Sequence, residues 1–256
     1  MQEMLKVEQI TAKYQAENGE VTAAENISFT VNRGEFISIV GPSGCGKSTL
    51  LSMIAGLLKP SAGRILLDGT EVQGINPKIG YMLQRDNLLE WRTIYQNVLL
   101  GLEIRHMLTP ETEEYARELL KTYGLYEFRD KYPSQLSGGM RQRAALIRTL
   151  AIKPELFLLD EAFSALDYQT RMAVTEDIYT ILRKEKKTML MVTHDIPEAI
   201  CMSDRVIVLT GRPAGIKKIH SINFGAAHTS PLACREHPAF NQYFDEIWKE
   251  LEIHVS

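Results

Sequence analysis

The chain has 256 residues, with 29 Lys or Arg against 32 Asp or Glu and a formal charge of −3. Apolar residues make up 45 % and charged residues 24 %, an ordinary globular balance with ample core for one large domain or two small ones. The balance argues against a protein that grips nucleic acid through a strong basic field. The longest run free of Asp, Glu, Lys and Arg, 219–234, is interrupted by His, Asn, Ser, Thr and Pro, so no segment reads as a membrane span. The first ten residues carry no signal-peptide pattern. Cys45, Cys201 and Cys234 are scattered and form no CxxC pair, which points to a reducing compartment and no structural zinc.

Taken in chain order, 4–10 and 27–32 alternate apolar and polar residues, the pattern of half-buried strands. Phe36–Val40 is a short apolar run that reads as a buried strand ending in a Gly-rich turn, and Lys47–Leu58 has helical spacing. Arg64–Leu67 and Ile79–Leu83 are strand candidates around the turn at Asp68-Gly69. The spacing then predicts helices over 93–105, 111–123 and 138–152, the second punctuated by Pro110 and Gly124. Strands at 156–160, 188–193 and 205–209 alternate with helices at 168–184 and 196–202. A last, amphipathic helix at about 238–252 follows a loop holding Pro231 and Pro238. Alternation of this kind implies an α/β fold with a mostly parallel sheet. The expected organisation is a core of 1–84 and 152–225, an antiparallel β segment near the N-terminus, an inserted helical subdomain at 85–151 and a C-terminal extension at 226–256.

The strongest chemical signal is Gly41-Pro42-Ser43-Gly44-Cys45-Gly46-Lys47-Ser48-Thr49. It matches GxxxxGK(S/T) and lies between a predicted strand and a predicted helix, the setting a phosphate cradle requires. Glycines let the backbone turn its N–H groups inward, and the helix N-terminus adds partial positive charge. Lys47 is placed to reach the β- and γ-phosphates and Ser48 to ligate Mg²⁺. Cys45 is a small residue tolerated in this loop, and its place beside Lys47 raises the expectation of a thiol sensitive to alkylation. A second marker is Leu156-Phe157-Leu158-Leu159-Asp160-Glu161, an apolar strand delivering two carboxylates to the C-terminal edge of the sheet. Asp160 would hold Mg²⁺, and Glu161 would act as general base on the attacking water.

Lys47 and Asp160 lie 113 residues apart, whereas a simple crossover needs only about 30. The helical insert accounts for the excess. It contains Leu136-Ser137-Gly138-Gly139-Met140-Arg141-Gln142 just before a predicted helix, and Ser137, Gly138 and Gly139 would form a second anion site. One chain then holds two phosphate-binding devices but one complete cradle. A symmetric dimer, with each nucleotide held by one chain's cradle and the other chain's turn, resolves this.

Together these motifs closely resemble the ATP-binding cassette (ABC) family of ATPases, over about residues 5–225. The resemblance implies roles for further residues. Gln84 would touch Mg²⁺ and the attacking water, and His194 the γ-phosphate. Tyr14 would stack on adenine, and Asp167, in Ser164-Ala165-Leu166-Asp167, would shape the dimer seam. A finer similarity, in Asn87–Glu103 with Trp91 and Asn97 and in the tail Arg235–Leu251, is to the nitrate/sulfonate/taurine group of importer ATPases, which extends to transporters of pyrimidine precursors. Glu90 stands where that group commonly has Pro. The resemblance implies an ATP-driven homodimer bound to separate transmembrane permease subunits at the cytoplasmic face of the cell membrane. A solute-binding protein would deliver the cargo, and no nucleic acid partner is expected. ABC ATPases that act on DNA or ribosomes carry a long coiled coil or two cassettes, and neither pattern is present. Leu88–Leu100 is the expected groove for a cytoplasmic helix of the membrane partner.

Overall fold

The computed structural model describes residues 2–16, 19–164, 166–225 and 230–252. Its first layer is an antiparallel sheet of β1 (Glu3–Ala16), β2 (Gly19–Asn32), β4 (Ala62–Leu67) and β5 (Thr70–Glu71), in the order β2-β1-β4-β5. β1 and β2 run well beyond the alternating stretches 4–10 and 27–32. Gln9 and Asn26, both at φ 51°, mark irregularities in the β1–β2 register. An extra residue in one strand shifts the inside–outside alternation, so the sequence pattern breaks where the strand itself continues.

The second sheet has the order β10-β9-β3-β8-β7-β6. β3 (Phe36–Val40), β6 (Ile79–Met82), β7 (Leu156–Asp160), β8 (Thr188–Val192) and β9 (Arg205–Leu209) are parallel, and β10 (Ile216–Ser221) closes one edge antiparallel to β9. Every residue of β3, β7 and β8 is buried, as continuous apolar strands covered on both faces must be. The strand ends at Val40, Asp160 and Val192 thus deliver the cradle, the acidic pair and the segment leading to His194 to one edge.

One face of this sheet shares a core with α1 (Lys47–Ile54) and the antiparallel layer. The other face shares a core with the insert helices α2 (Ile94–Ile104), α3 (Pro110–Thr122) and α4 (Gly138–Ala151) and with α5 (Tyr168–Lys184). Thr93 and Thr109 start α2 and α3 as capping boxes with Gln96 and Thr112. Asn97 is fully buried; its side chain bonds the backbone of Leu89, Arg92 and Thr93 and so staples the loop before α2. Leu88, Ile94, Val98 and Leu99 are buried in the core that these helices share with the parallel sheet, while Trp91 is 74 % exposed. Several of the apolar residues read as a docking groove therefore pack α2 and the preceding loop onto the rest of the fold.

The third core joins α6 (Ile196–Met202), α7 (Pro231–Glu236) and α8 (Phe240–Glu252). Pro231, expected in a loop, is the first residue of α7, capped by Ser230. α8 buries Ile247 and lays Phe240, Tyr243, Phe244 and Leu251 against this core, while Trp248, stacked on Phe244, stays 46 % exposed. The scattered-thiol reading of the cysteines is corrected here. Cys201 on α6 and Cys234 on α7 form a disulfide, with Cα atoms 5.5 Å apart, and Cys45 is the remaining buried thiol. A separation of 33 residues carries no sign of this contact, which the packing of two helices creates.

Candidate active site

The segment from β3 to α1 wraps back on itself. Gly46 adopts φ 115°, and a Cβ there would stand 3.2 Å from the Ala23 carbonyl oxygen of β2, so glycine is required both for the turn and for the close approach of two layers. Lys47 Nζ donates to the carbonyls of Gly41 and Pro42 at 2.8 and 3.0 Å, which bends the side chain over the loop. Ser43, Gly44, Gly46, Lys47, Ser48 and Thr49 line a cleft of about 250 Å³ together with Glu161 and Arg212. Cys45 is buried beneath the loop, its Sγ 3.1 Å from where a Gly41 Cβ would stand. The thiol is withdrawn from solvent, which limits the access of an alkylating reagent to it.

Ser48 Oγ donates to Asp160 Oδ1 at 2.8 Å. Two hard oxygens so placed suit Mg²⁺, which takes one or two protein ligands and fills its shell with phosphate oxygens and water. Among the described residues no group of three or more His, Cys, Asp or Glu gathers for a metal. Tyr81, which sequence reasoning did not single out, donates to Asp160 Oδ2 at 3.2 Å. Burial pushes its hydroxyl up to about 12, opposed by a hydrogen bond with Ser52 and helped by the Asp160 carboxylate. Its place on β6, the neighbour of β7, is a consequence of strand order and leaves no motif.

Glu161 follows Asp160 with φ 46°, and its N–H donates to the Val192 carbonyl at 2.9 Å. This left-handed turn swings the carboxylate out of the strand. His194 Nδ1 lies 3.3 Å from Glu161 Oε2. Gln84 Nε2 lies 3.5 Å from the same oxygen and 3.2 Å from Ser164 Oγ, which in turn donates to the Glu161 carbonyl at 2.9 Å. Three residues from 84 to 194, each at a different strand end, thus meet at one carboxylate oxygen. The segment after Gln84 is held from α4: Arg148 donates to the carbonyls of Asp86 and Asn87, and Arg141 to the Asp86 carboxylate.

Other expected site residues lie outside the cleft. Ser137 caps α4 by accepting from the Met140 N–H at 3.3 Å. Gly138 lines a different cleft of about 330 Å³ with Gln84, Asp86, Arg141 and Leu166. A Cβ on Gly139 would stand 2.7 Å from Thr170 Cγ2 of α5, so this glycine also serves the packing of insert on core. Tyr14, paired with Val21 and 41 % exposed, stands on the antiparallel layer. Asp167 caps α5 by accepting from the Thr170 N–H at 3.1 Å, and hydrogen bonds from Thr170, side chain then backbone, hold its carboxyl below the usual range. Ala165 lies outside the described residues.

Below the segment leading to His194 sits a further buried acid. Glu198 of α6 is 6 % exposed; Thr193 Oγ1 donates to its Oε2, the Asp195 N–H donates to Thr193 Oγ1 at 3.1 Å, and its own N–H donates to Asp195 Oδ1 at 2.8 Å. Burial raises its carboxyl to about 7, with Thr193 opposing.

The family model described as ABC transporter matches residues 24–164. The chain is 48 % identical over 247 residues to the uncharacterized ABC transporter ATP-binding protein YtlC of Bacillus subtilis, covering 96 % of this chain and 95 % of that one. It is 38 % identical to the nitrate import ATP-binding protein NrtD of Synechocystis, covering 95 % and 93 %. To the taurine import ATP-binding protein TauB of Yersinia pestis it is 39 % identical, covering 91 % and 89 %. In structure it resembles the dimeric ATP-binding cassette MJ0796 in a post-hydrolysis state bound to ADP and Pi, with a TM-score of 0.74 and 31 % identity, covering 86 % of this chain and 99 % of that one. With the cradle, the acidic strand end and the matched domain in agreement, this chain belongs to the ABC transporter family as one of its ATP-hydrolysing cassettes.

Proposed function

We propose that the chain is the ATP-hydrolysing subunit of an importer, working as a homodimer on separate transmembrane permease subunits at the cytoplasmic face of the membrane. The observation that carries the catalytic reading is the meeting of Gln84 and His194 at Glu161 Oε2, beside the phosphate cradle. Glu161 takes a proton from the attacking water as the new oxygen–phosphorus bond forms at the γ-phosphoryl. The bond to the β–γ bridging oxygen breaks, leaving ADP and phosphate. His194 and Gln84 orient that carboxylate and the water. Lys47 and the loop N–H groups hold the phosphate chain, and Tyr14 stacks on adenine, an interaction worth about 1–3 kcal/mol. Ser48 and Asp160 would hold Mg²⁺, which supplies charge neutralisation at the β- and γ-phosphates when bound.

The separation of Ser137, Gly138 and Gly139 from the cradle's own cleft supports their supply by a second copy, as does the likeness to a dimeric cassette. Asp167 lies at the seam in that arrangement. The cargo is of the nitrate, sulfonate, taurine or pyrimidine-precursor type, delivered by an extracytoplasmic solute-binding protein. NrtD and TauB, at 38 % and 39 % identity, import different solutes, so overall likeness does not choose between them. Cargo choice then belongs to the permease and the binding protein.

Glu161→Gln tests the reading. The expected result is a fall in hydrolysis of at least about 10²-fold, with an ATP-bound dimer accumulating on size-exclusion chromatography. Normal hydrolysis by the variant refutes Glu161 as the base.

A further inference from the structure

Arg212 lines the cradle cleft beside Gly44, Lys47, Ser48 and Glu161, yet belongs to none of the motifs that build it. It lies on the connection between β9 and β10, a segment bonded at both ends. Thr210 Oγ1 bonds the Pro213 carbonyl and the Gly215 N–H at 3.1 and 2.8 Å, and the Thr210 N–H donates to the Gly215 carbonyl at 2.9 Å. Ala214 accepts from the Glu25 N–H and donates to the Ala23 carbonyl, at 2.8 and 2.9 Å. That is the stretch of β2 against which Gly46 fits. The Arg is therefore presented on a fixed mount shared with the cradle itself.

The guanidinium donates once, from Nη2 to the Gly44 carbonyl at 2.9 Å, and has no carboxylate partner among the described residues. An arginine carries five N–H donors in a planar fork that suits phosphate oxygens. One bond to a loop carbonyl leaves the others free for such a ligand.

We propose that Arg212 is a nucleotide-contacting residue, donating to the phosphate chain from the rim of the cradle while its bond to Gly44 holds the loop beneath. The inference rests on reading Gly41–Thr49 as the phosphate site. It adds to that site a cation that enters from the β9–β10 connection and from no recognised motif.

The test is displacement of a fluorescent trinitrophenyl-ATP by ATP and by ADP, on the full chain, for Arg212→Ala, Arg212→Gln, Arg212→Lys and the control Lys47→Ala. Arg212→Ala and Arg212→Gln should weaken ATP binding about tenfold, and the loss should shrink as salt is raised. Arg212→Lys should recover part of the lost affinity, because it restores the charge without the planar fork. The Gln variant separates contact from mere support, because its amide can still donate to Gly44 but carries no charge. Wild-type affinity in Arg212→Gln overturns the proposal, as does wild-type affinity in Arg212→Ala when Lys47→Ala binds weakly. Wild-type affinity in both Arg212→Ala and Lys47→Ala overturns the cradle reading with it.

Discussion

Glu198→Gln offers the most quantitative check on how the segment around His194 is built. The folded chain holds the Glu198 carboxyl at about 7 against an ordinary 4.5, because burial penalises its charge. Asp195 adds to the rise, while Thr193, Arg171 and Arg235 oppose it. Oε1 has no hydrogen-bond partner among the described residues, so a charge there goes uncompensated by them. Below about pH 4.5 folded and unfolded chains both carry the proton, so pH has no leverage through this group. Between 4.5 and 7 the folded chain keeps a proton that the unfolded chain has lost, so stability falls as pH rises; above 7 both are ionised and the slope vanishes. From pH 5 to pH 8 this single group should cost the wild type about 2–3 kcal/mol. For a chain of this length that is a melting shift of roughly 4–12 °C.

Glutamine does not titrate and keeps an acceptor for Thr193 Oγ1. Other groups titrate too, but the difference between wild type and variant removes their shared contribution. The assay is thermal or urea unfolding of both proteins at pH 5, 6, 7 and 8. The expected result is a wild-type advantage that shrinks steadily across this range, whatever its starting value. A difference independent of pH would show that Glu198 is ionised throughout, and the account of the buried acid would be wrong.

Three further outcomes follow from the structure. Trp91→Arg should leave ATPase activity of the isolated chain near wild type but uncouple it from uptake in the assembled transporter, since Trp91 is exposed on the insert; full transport by the variant removes Trp91 from the docking surface. Gly139→Ala should lower stability by about 1–3 kcal/mol despite the better helix former, because its methyl group meets Thr170 Cγ2; a melting temperature at or above wild type refutes the packing role. With the chain unfolded, iodoacetamide should label one cysteine, Cys45, without reductant and three after reduction; three labels at the outset would deny the bridge. Where the bridge is present, reduction should cost about 2–4 kcal/mol of stability.

The residues we assign to phosphate binding were legible in the sequence, because a phosphate cradle is a local device. A strand, a glycine-rich turn and a helix start are contiguous, so Gly41–Thr49 announces the cradle without help from distant chain. Leu156–Glu161 announces the acidic edge for the same reason. The insert helices were legible from their period, and the second also from Pro110 and Gly124, since such punctuation is local. Elements with weak or shifted patterns were not: the middle of β1 and β2 past Gln9 and Asn26, the short β5, the edge strand β10, and α7.

What the tertiary structure alone decided are relations between residues far apart in sequence. Strand order sets Tyr81 beside Asp160. The ends of β6, β7 and β8 bring Gln84 and His194 to a single oxygen of Glu161. Helix packing joins Cys201 to Cys234 and makes Gly139 a contact as well as a turn. The β9–β10 connection carries Arg212 to the Gly44 carbonyl. Local sequence encodes φ and ψ preferences and caps, whereas contacts between residues as far apart in sequence as Gly44 and Arg212 depend on how whole layers stack.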